Sequence, residues 1–367
     1  MNHVRITAAA LALGLFPSLV SLPAAADPVA DFYKGKQIKM VIRTAAGGGY
    51  DLYARMLMRH ITRHIPGNPS PVNINMPGGG GLKAANYVAK VAPRDGTVMT
   101  IVSQALPMIQ GLKLSNQLQA DMKAFNWIGN MSTSNQVFVV WHTSPARSVE
   151  DLKKRVTVIG ATGAGSASVQ LPSVYNNVLG TRLKIIFGYE SGTEINFAME
   201  KGEVEGRGTN PWASWISATP QLVEKKQIRP LIQVGLKRDP ALPDVPLLME
   251  LGKTPEETAI LTYVSKAVYV GRPVAVAQGV PADRVKALRA AYEDTLKDPK
   301  FVADAKKQRA DVESQTGEEL QKLIADLIDI DDAFRLKVLA AIDEKKAAAE
   351  ARKVAEGEKK KKKKAEE

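Results

Sequence analysis

The sequence predicts an α/β fold in two lobes joined by two crossing segments. Three observations lead there. The chain has 367 residues, a length suited to about two domains. Short runs rich in β-formers alternate with segments of helical period across short loops, the pattern of a mainly parallel sheet covered by helices. A glycine-rich turn stands between strand and helix three times, at 45–49, 77–81 and 162–166.

The first lobe opens with a predicted strand over 37–44 (QIKMVIRT), followed by the turn Ala45-Ala46-Gly47-Gly48-Gly49. A helix over 50–65 follows, with Leu52, Met56, Ile61 and Ile65 at helical spacing and Asp51 in its first turn. The unit repeats as strand 72–76, turn 77–81, helix 82–91 and strand 98–103. Two strand-like runs, 126–131 and 136–141, flank Ser132-Thr133-Ser134-Asn135 and mark the first crossing. The second lobe reads as strand 155–161, glycine loop, helix to Leu179, strand 184–189, helix 194–201, and strands 203–209 and 229–237. Three prolines make 238–246 irregular. A second crossing is expected at 266–276, and helices at 283–296, 299–308 and 317–329 complete the body. The expected division is therefore 27–131 with 268–342 for lobe 1, and 132–267 for lobe 2.

Both ends differ from the body. Arg5, the apolar run 8–20 and Ala24-Ala25-Ala26 have the order of a cleaved export signal over 1–26, leaving Asp27 as the first mature residue in a periplasmic protein. The last residues, 343–367, are rich in Ala, Glu and Lys and read as a charged, flexible tail. The chain has no Cys, which excludes lipid attachment after cleavage, disulfides, thiolate metal sites and cysteine nucleophiles. Net charge is +12, of which +3 belongs to the tail. That excess favours steering of anions or is simply a solvated surface. Without a basic stripe interleaved with aromatics it does not suggest nucleic acid.

In an open parallel sheet, strand-to-helix turns lie at the carboxyl ends of the strands, where ligands bind. Glycine lets backbone N–H groups approach a ligand, and the next helix offers unpaired N–H groups and the positive end of its dipole. The turns therefore either close tight bends or form an anion cradle, and their recurrence favours the cradle.

The order and spacing of several motifs resemble the Bug-type receptors of tripartite tricarboxylate transporters. The likeness runs through Phe32-Tyr33-Lys34-Gly35-Lys36, Gly47-Gly48-Gly49-Tyr50-Asp51 with Ala54-Arg55, and Asn75, Pro77, Gly78, Gly80 and Gly81. It continues through Asp95-Gly96, Gly163-Ala164-Gly165-Ser166, Leu242-Pro243-Asp244-Val245-Pro246 and Gly279-Val280-Pro281-Ala282. The resemblance covers most of the mature chain. It implies a periplasmic binding protein of Venus-flytrap form that passes a small carboxylate to the membrane subunits of a transporter. It further implies that the carboxylate is held by Ala46, Gly47, Gly48, Gly49, Tyr50 and Asp51 from one lobe and by Gly163, Ala164, Gly165, Ser166 and Ser168 from the other. Ser103 and Gln104 would line the cleft floor. Four departures lie near that cleft: Tyr50 stands where Thr or Ser is usual, Val169-Gln170 occupies the region of a usual His, Tyr189-Glu190-Ser191 replaces Tyr-Lys-Gly, and Arg207-Gly208-Thr209-Asn210-Pro211-Trp212 is not a usual segment of the family.

Other classes fit less well. The loop at 163–168 fails the GxSxG of a serine hydrolase, and Gly81-Leu82-Lys83 fails a P-loop. His60 and His64 share a helix face with Arg59 and Arg63, which reads as a solvated basic face rather than a metal site. Arg207 would either fork onto a second ligand carboxylate or pair on the rim with Glu203 or Glu205. Trp212 and Trp215 would either cap an aromatic ligand or fill a core. The expectation is a monomeric receptor without catalytic residues, cofactor or metal. The alternatives are a periplasmic sensor partnering a signalling receptor, and an enzyme on the same fold. Citrate-like, dicarboxylate, aromatic and amino-acid ligands all remain open.

Overall fold

A computed structural model describes residues 27–161, 166–189 and 192–343. Residues 1–26, expected as an export signal, Thr162, Gly163, Ala164, Gly165, Glu190, Ser191 and the tail after Asp343 lie outside the described residues. The first lobe begins with α1 (Pro28–Tyr33), β1 (Gln37–Ile42), α2 (Gly49–Ile61), β2 (Ser70–Asn75), α3 (Leu82–Lys90), β3 (Val98–Ile101), α4 (Ala105–Gly111) and β4 (Asn126–Asn130). The chain then builds β5 (Gln136–Trp141), α5 (Val149–Lys154), β6 (Thr157–Ala161), α6 (Ala167–Leu179), β7 (Leu183–Phe187), α7 (Gly192–Glu200), β8 (Gly206–Arg207), α8 (Trp212–Ala218), α9 (Pro220–Glu224) and β9 (Ile228–Val234). It ends with α10 (Pro255–Tyr269), β10 (Pro273–Val276), α11 (Ala282–Lys297), α12 (Pro299–Lys307), β11 (Gln315–Thr316), α13 (Gly317–Ile328) and α14 (Asp332–Ile342).

These strands form two sheets, ordered β11-β4-β10-β3-β1-β2 and β7-β6-β8-β5-β9. β1 runs parallel to β2 and β3, and β6 runs parallel to β7 and β8, as strand–turn–helix repeats require. The segments that pass between sheets are the antiparallel ones: β10 pairs antiparallel with β3 and β4, and β5 with β8 and β9. The passage out runs between β4 and β5, across the polar stretch Ser132 to Asn135, which is buried rather than looped into solvent.

Three apolar clusters hold the sheets. Tyr53, Met56 and Leu57 of α2 pack with Leu288 and Tyr292 of α11 and Phe301 of α12 on one face of the first sheet. Ile195, Met199, Trp212 and Trp215 cover one face of the second, so both tryptophans fill a core. The third cluster runs across both lobes, from Val88 and Leu106 through Leu261 and Val268 to Phe138 and Tyr175. Two helices reach across the expected boundaries. α10 packs chiefly on the turn 248–251, which lies on β9, and also touches α4 and α13 of the first lobe. α14, expected in lobe 1, rests chiefly on α6, where Asn177 donates to the Ala341 carbonyl at 2.9 Å.

The basic face of α2, exposed at Arg59 and Arg63, also forms a seam. His60 Nε2 donates to Asp304 at 2.8 Å while its Nδ1 accepts from Arg63, and His64 meets Asp298 at 2.9 Å. Arg59 and Arg63 join the same two carboxylates, tying α2 to α12.

Candidate functional site

A cleft of about 1090 Å³ opens where the carboxyl ends of the parallel strands in the two sheets face each other. From the first lobe it is lined by Arg43, Tyr50, Gly79, Gly80, Ser103 and Gln104, and from the second by Gln136, Ser166, Gln170, Ser173 and Tyr189. Strand register explains the first set. Ile42 and Val274 both stand opposite Ile101, so the residues just beyond them, Arg43 and Arg272, emerge on either side of the Val102-Ser103 turn. Arg272 joins the lining from there.

The sequence-predicted residues divide. Tyr50, Ser103, Gln104 and Ser166 line the cleft. Ala46, Gly47, Gly48 and Gly49 form the exposed entry to α2, beside the cleft. Gly48 is the cap residue and makes no side-chain bond, so the first N–H groups of α2 have no carbonyl one turn behind them. Asp51 is not part of the lining. It is buried and turns inward, accepting hydrogen bonds from Gly47 N at 3.0 Å, Arg55 Nε at 2.9 Å and Asn75 Nδ2 at 2.8 Å. Burial works to raise its pKa, but the bonds from Arg55, Asn75 and Gly47 outweigh this and hold it below the usual carboxylate range.

On the second lobe, Ser166 caps α6, and its hydroxyl meets that of buried Ser168 at 2.6 Å. Arg207 is not among the described lining residues. Its Nη1 donates to the Gly192 carbonyl and to Asn196 Oδ1, both at 3.2 Å, and its guanidinium stands 5.5 Å from the Trp215 ring centre. Burial pushes its pKa down to about 10. Neither expected glutamate carries it: Glu205 is taken by Arg155 at 2.6 Å.

Arg43, Arg272 and Gln136 join the lining without a local sequence signal, while Gln170 and Tyr189 lie where departures from the family pattern fall. The guanidinium carbon of Arg43 stands 4.4 Å from the Tyr50 ring centre, and that of Arg272 4.2 Å from the Tyr53 ring centre. The Tyr50 hydroxyl donates to the Gly271 carbonyl and accepts from Gln104 N, both at 3.3 Å. Gly271 has φ +63° and lies against Ser132 and Asn130, a conformation and a fit that a side chain would disturb. Such a site can hold an anion on backbone N–H groups and guanidinium groups at once.

Comparison with known proteins agrees with this geometry. The family model described as "Tripartite tricarboxylate transporter family receptor" matches residues 55–335. A Cupriavidus necator protein, "UPF0065 protein in gbd 5'region", is 29% identical over 254 residues, covering 67% of this chain and 72% of its own length. Protein BugT of Bordetella pertussis is 27% identical over 262 residues, covering 69% of this chain and 75% of its own. Among solved structures, Rpa4515 of R. palustris with adipate superposes with a TM-score of 0.64 at 20% identity, covering 84% of this chain and 97% of that one. MatC of Rhodopseudomonas palustris with bound malate gives 0.63 at 17%, covering 83% and 99%. At these identities the structural likeness shows the two-lobed binding-protein fold. On the span of the family match and the Bug relative, the chain belongs to the tripartite tricarboxylate transporter receptor family and is a receptor of its Bug type.

Proposed function

We propose that this chain is an extracytoplasmic receptor that captures a small carboxylate between its lobes and delivers it to the membrane subunits of a tripartite tricarboxylate-type transporter. The observation that carries this reading is the cleft, on which the starts of α2 and α6 open from opposite lobes. An acid group bridging the two binds the closed form better than the open one, and only such differential affinity drives closure. The adipate and malate held by two proteins of the same fold are consistent with it. Under this reading residues 1–26 are cleaved on export, the mature monomer starts at Asp27 in the periplasm, and the lobes divide at 131/132 and 267/268, with α10 and α14 leaning across. The loop 163–168 completes the second-lobe side. The chain acts by binding, without catalysis or cofactor.

Native mass spectrometry of gently purified mature protein tests this. A co-purifying small acid, or a thermal shift with at least one carboxylate, is expected. A protein that holds no acid and shifts with none, while shifting with neutral solutes, contradicts it.

A further inference from the structure

Reading the cleft as a carboxylate site leaves two of its side chains without a task. Arg272 is only 5% exposed yet lines the cleft. Its Nη2 donates to Ser214 Oγ at 3.3 Å, and its Nε is buried without a hydrogen-bond partner. Asp311 acts on it only through space. Burial, then Glu313 and Asp239, push the Asp311 carboxyl above its ordinary range against the pull of Arg272. Arg43 is half-buried; its Nη2 donates to the Gly80 carbonyl at 3.0 Å, and its Nε also lacks a partner. Neither makes an ion pair among the described residues.

A desolvated guanidinium with no counter-charge is costly, and its free donors match the two oxygens of an acid group. Here each fork is held ready on an aromatic platform, Tyr53 under Arg272 and Tyr50 under Arg43. Each also stands at a helix start. A Cβ on Gly49, the first residue of α2, would lie 3.1 Å from Arg272 Nη2, and one on Gly81, the cap of α3, would lie 2.8 Å from Arg43 Nε. Tyr50 ties the two together through Gly271, the neighbour of Arg272, and through its ring.

Resting on the proposed receptor function, we infer that Arg272 grips one acid group of the ligand and Arg43 a second, so that this pair sets specificity for a ligand acidic at both ends. The strand order β10-β3-β1 places the two backbones two strand spacings apart, about 10 Å. Both side chains line the same cleft, so a ligand lying along that wall meets both. A ligand with one acid group leaves one guanidinium unanswered.

Calorimetry on the full mature chain tests this with matched probes: succinate, glutarate and adipate, each against its own monoamide. Wild type binds the best diacid at least tenfold tighter than its monoamide. Arg43→Gln brings that ratio close to one. Arg272→Gln weakens diacid binding at least tenfold, and Arg272→Lys, which keeps charge but loses the fork, falls between. Circular dichroism and melting confirm each fold, and the lysine variant carries the test if the glutamine variant does not fold. Equal binding of diacid and monoamide by wild type, or unchanged diacid binding in the Arg43 and Arg272 variants, overturns the arginine assignment and leaves the carboxylate receptor standing. If no acid, amide or tricarboxylate binds, the receptor reading fails and the assignment falls with it.

Discussion

The Asp51 carboxylate accepts a hydrogen bond from the Gly47 N–H at 3.0 Å and so fastens the glycine turn to the helix that follows it. Because Arg55 and Asn75 hold the same carboxylate, Asp51 braces the glycine turn from its buried side. Asp51→Asn should therefore lower stability more than it changes ligand selectivity. Loss of a charge-assisted bond costs about 1.5–3 kcal/mol. A carboxyl depressed in the fold adds stability above its unfolded pKa of about 3.9, and that stability is lost as pH falls through the lower folded value. Urea unfolding at pH 7 and at acid pH should show wild type losing stability on acidification and the variant losing less.

Gly48 stands at the mouth of the same turn, with only Thr44 Oγ1 at 4.0 Å from where a Cβ would lie. Gly48→Val should fold normally and push an anion off the first N–H groups of α2. Losing one charge-assisted bond of about 1.5–3 kcal/mol corresponds to roughly tenfold or more in affinity. Calorimetry with a carboxylate that binds wild type, beside a melting curve, checks both halves.

The seam between α2 and α12 predicts salt-sensitive stability. Hydrogen bonds from His64 and Arg63 hold the Asp298 carboxyl well below its ordinary range. Asp304 is also held low, where bonds from His60, Arg59 and Gln308 outweigh its burial. Asp298→Asn with Asp304→Asn should lower the melting temperature and loosen α12, seen as faster amide exchange over 299–307. High salt should narrow the gap to wild type, since partly exposed pairs are screened. Exchange confined to other helices would contradict the assignment.

Arg207 should behave as a residue of lobe 2 stability. Arg207→Ala leaves the Gly192 carbonyl and Asn196 Oδ1 without this donor and strips the Trp215 ring of its partner. Melting temperature should fall, while the diacid-to-monoamide affinity ratio of the folded variant stays as in wild type. A changed ratio with unchanged melting would put Arg207 on the ligand instead.

Much of this fold was legible because its signals are local. β1, its glycine turn and α2 follow from an alternating run, a breaker and a helical period, and the observed bounds differ from the expected ones by a few residues. α10 carries helix-start signals, with Thr254 as cap, Pro255 in the first turn and Glu256 and Glu257 after it, but its end runs into the strand-like 266–276 segment, which masks its period. The site was half legible. Tyr50, Ser103 and Gln104 follow strands and could be placed by position alone. Asp51 shares their neighbourhood but faces inward, which depends on Asn75 from the next strand. Arg43 and Arg272 are far apart in sequence and meet only through the register of β1, β3 and β10, which no local pattern carries.

Capture of a carboxylate between the lobes is open to small-angle scattering of the mature protein, titrated with mono-, di- and tricarboxylates alongside calorimetry. Saturable binding of at least one acid is expected, with a fall in radius of gyration that follows the binding curve and weakens in Gly48→Val. Absence of saturable binding for every acid, or binding with no change in radius and none in the Gly48 variant, would contradict it.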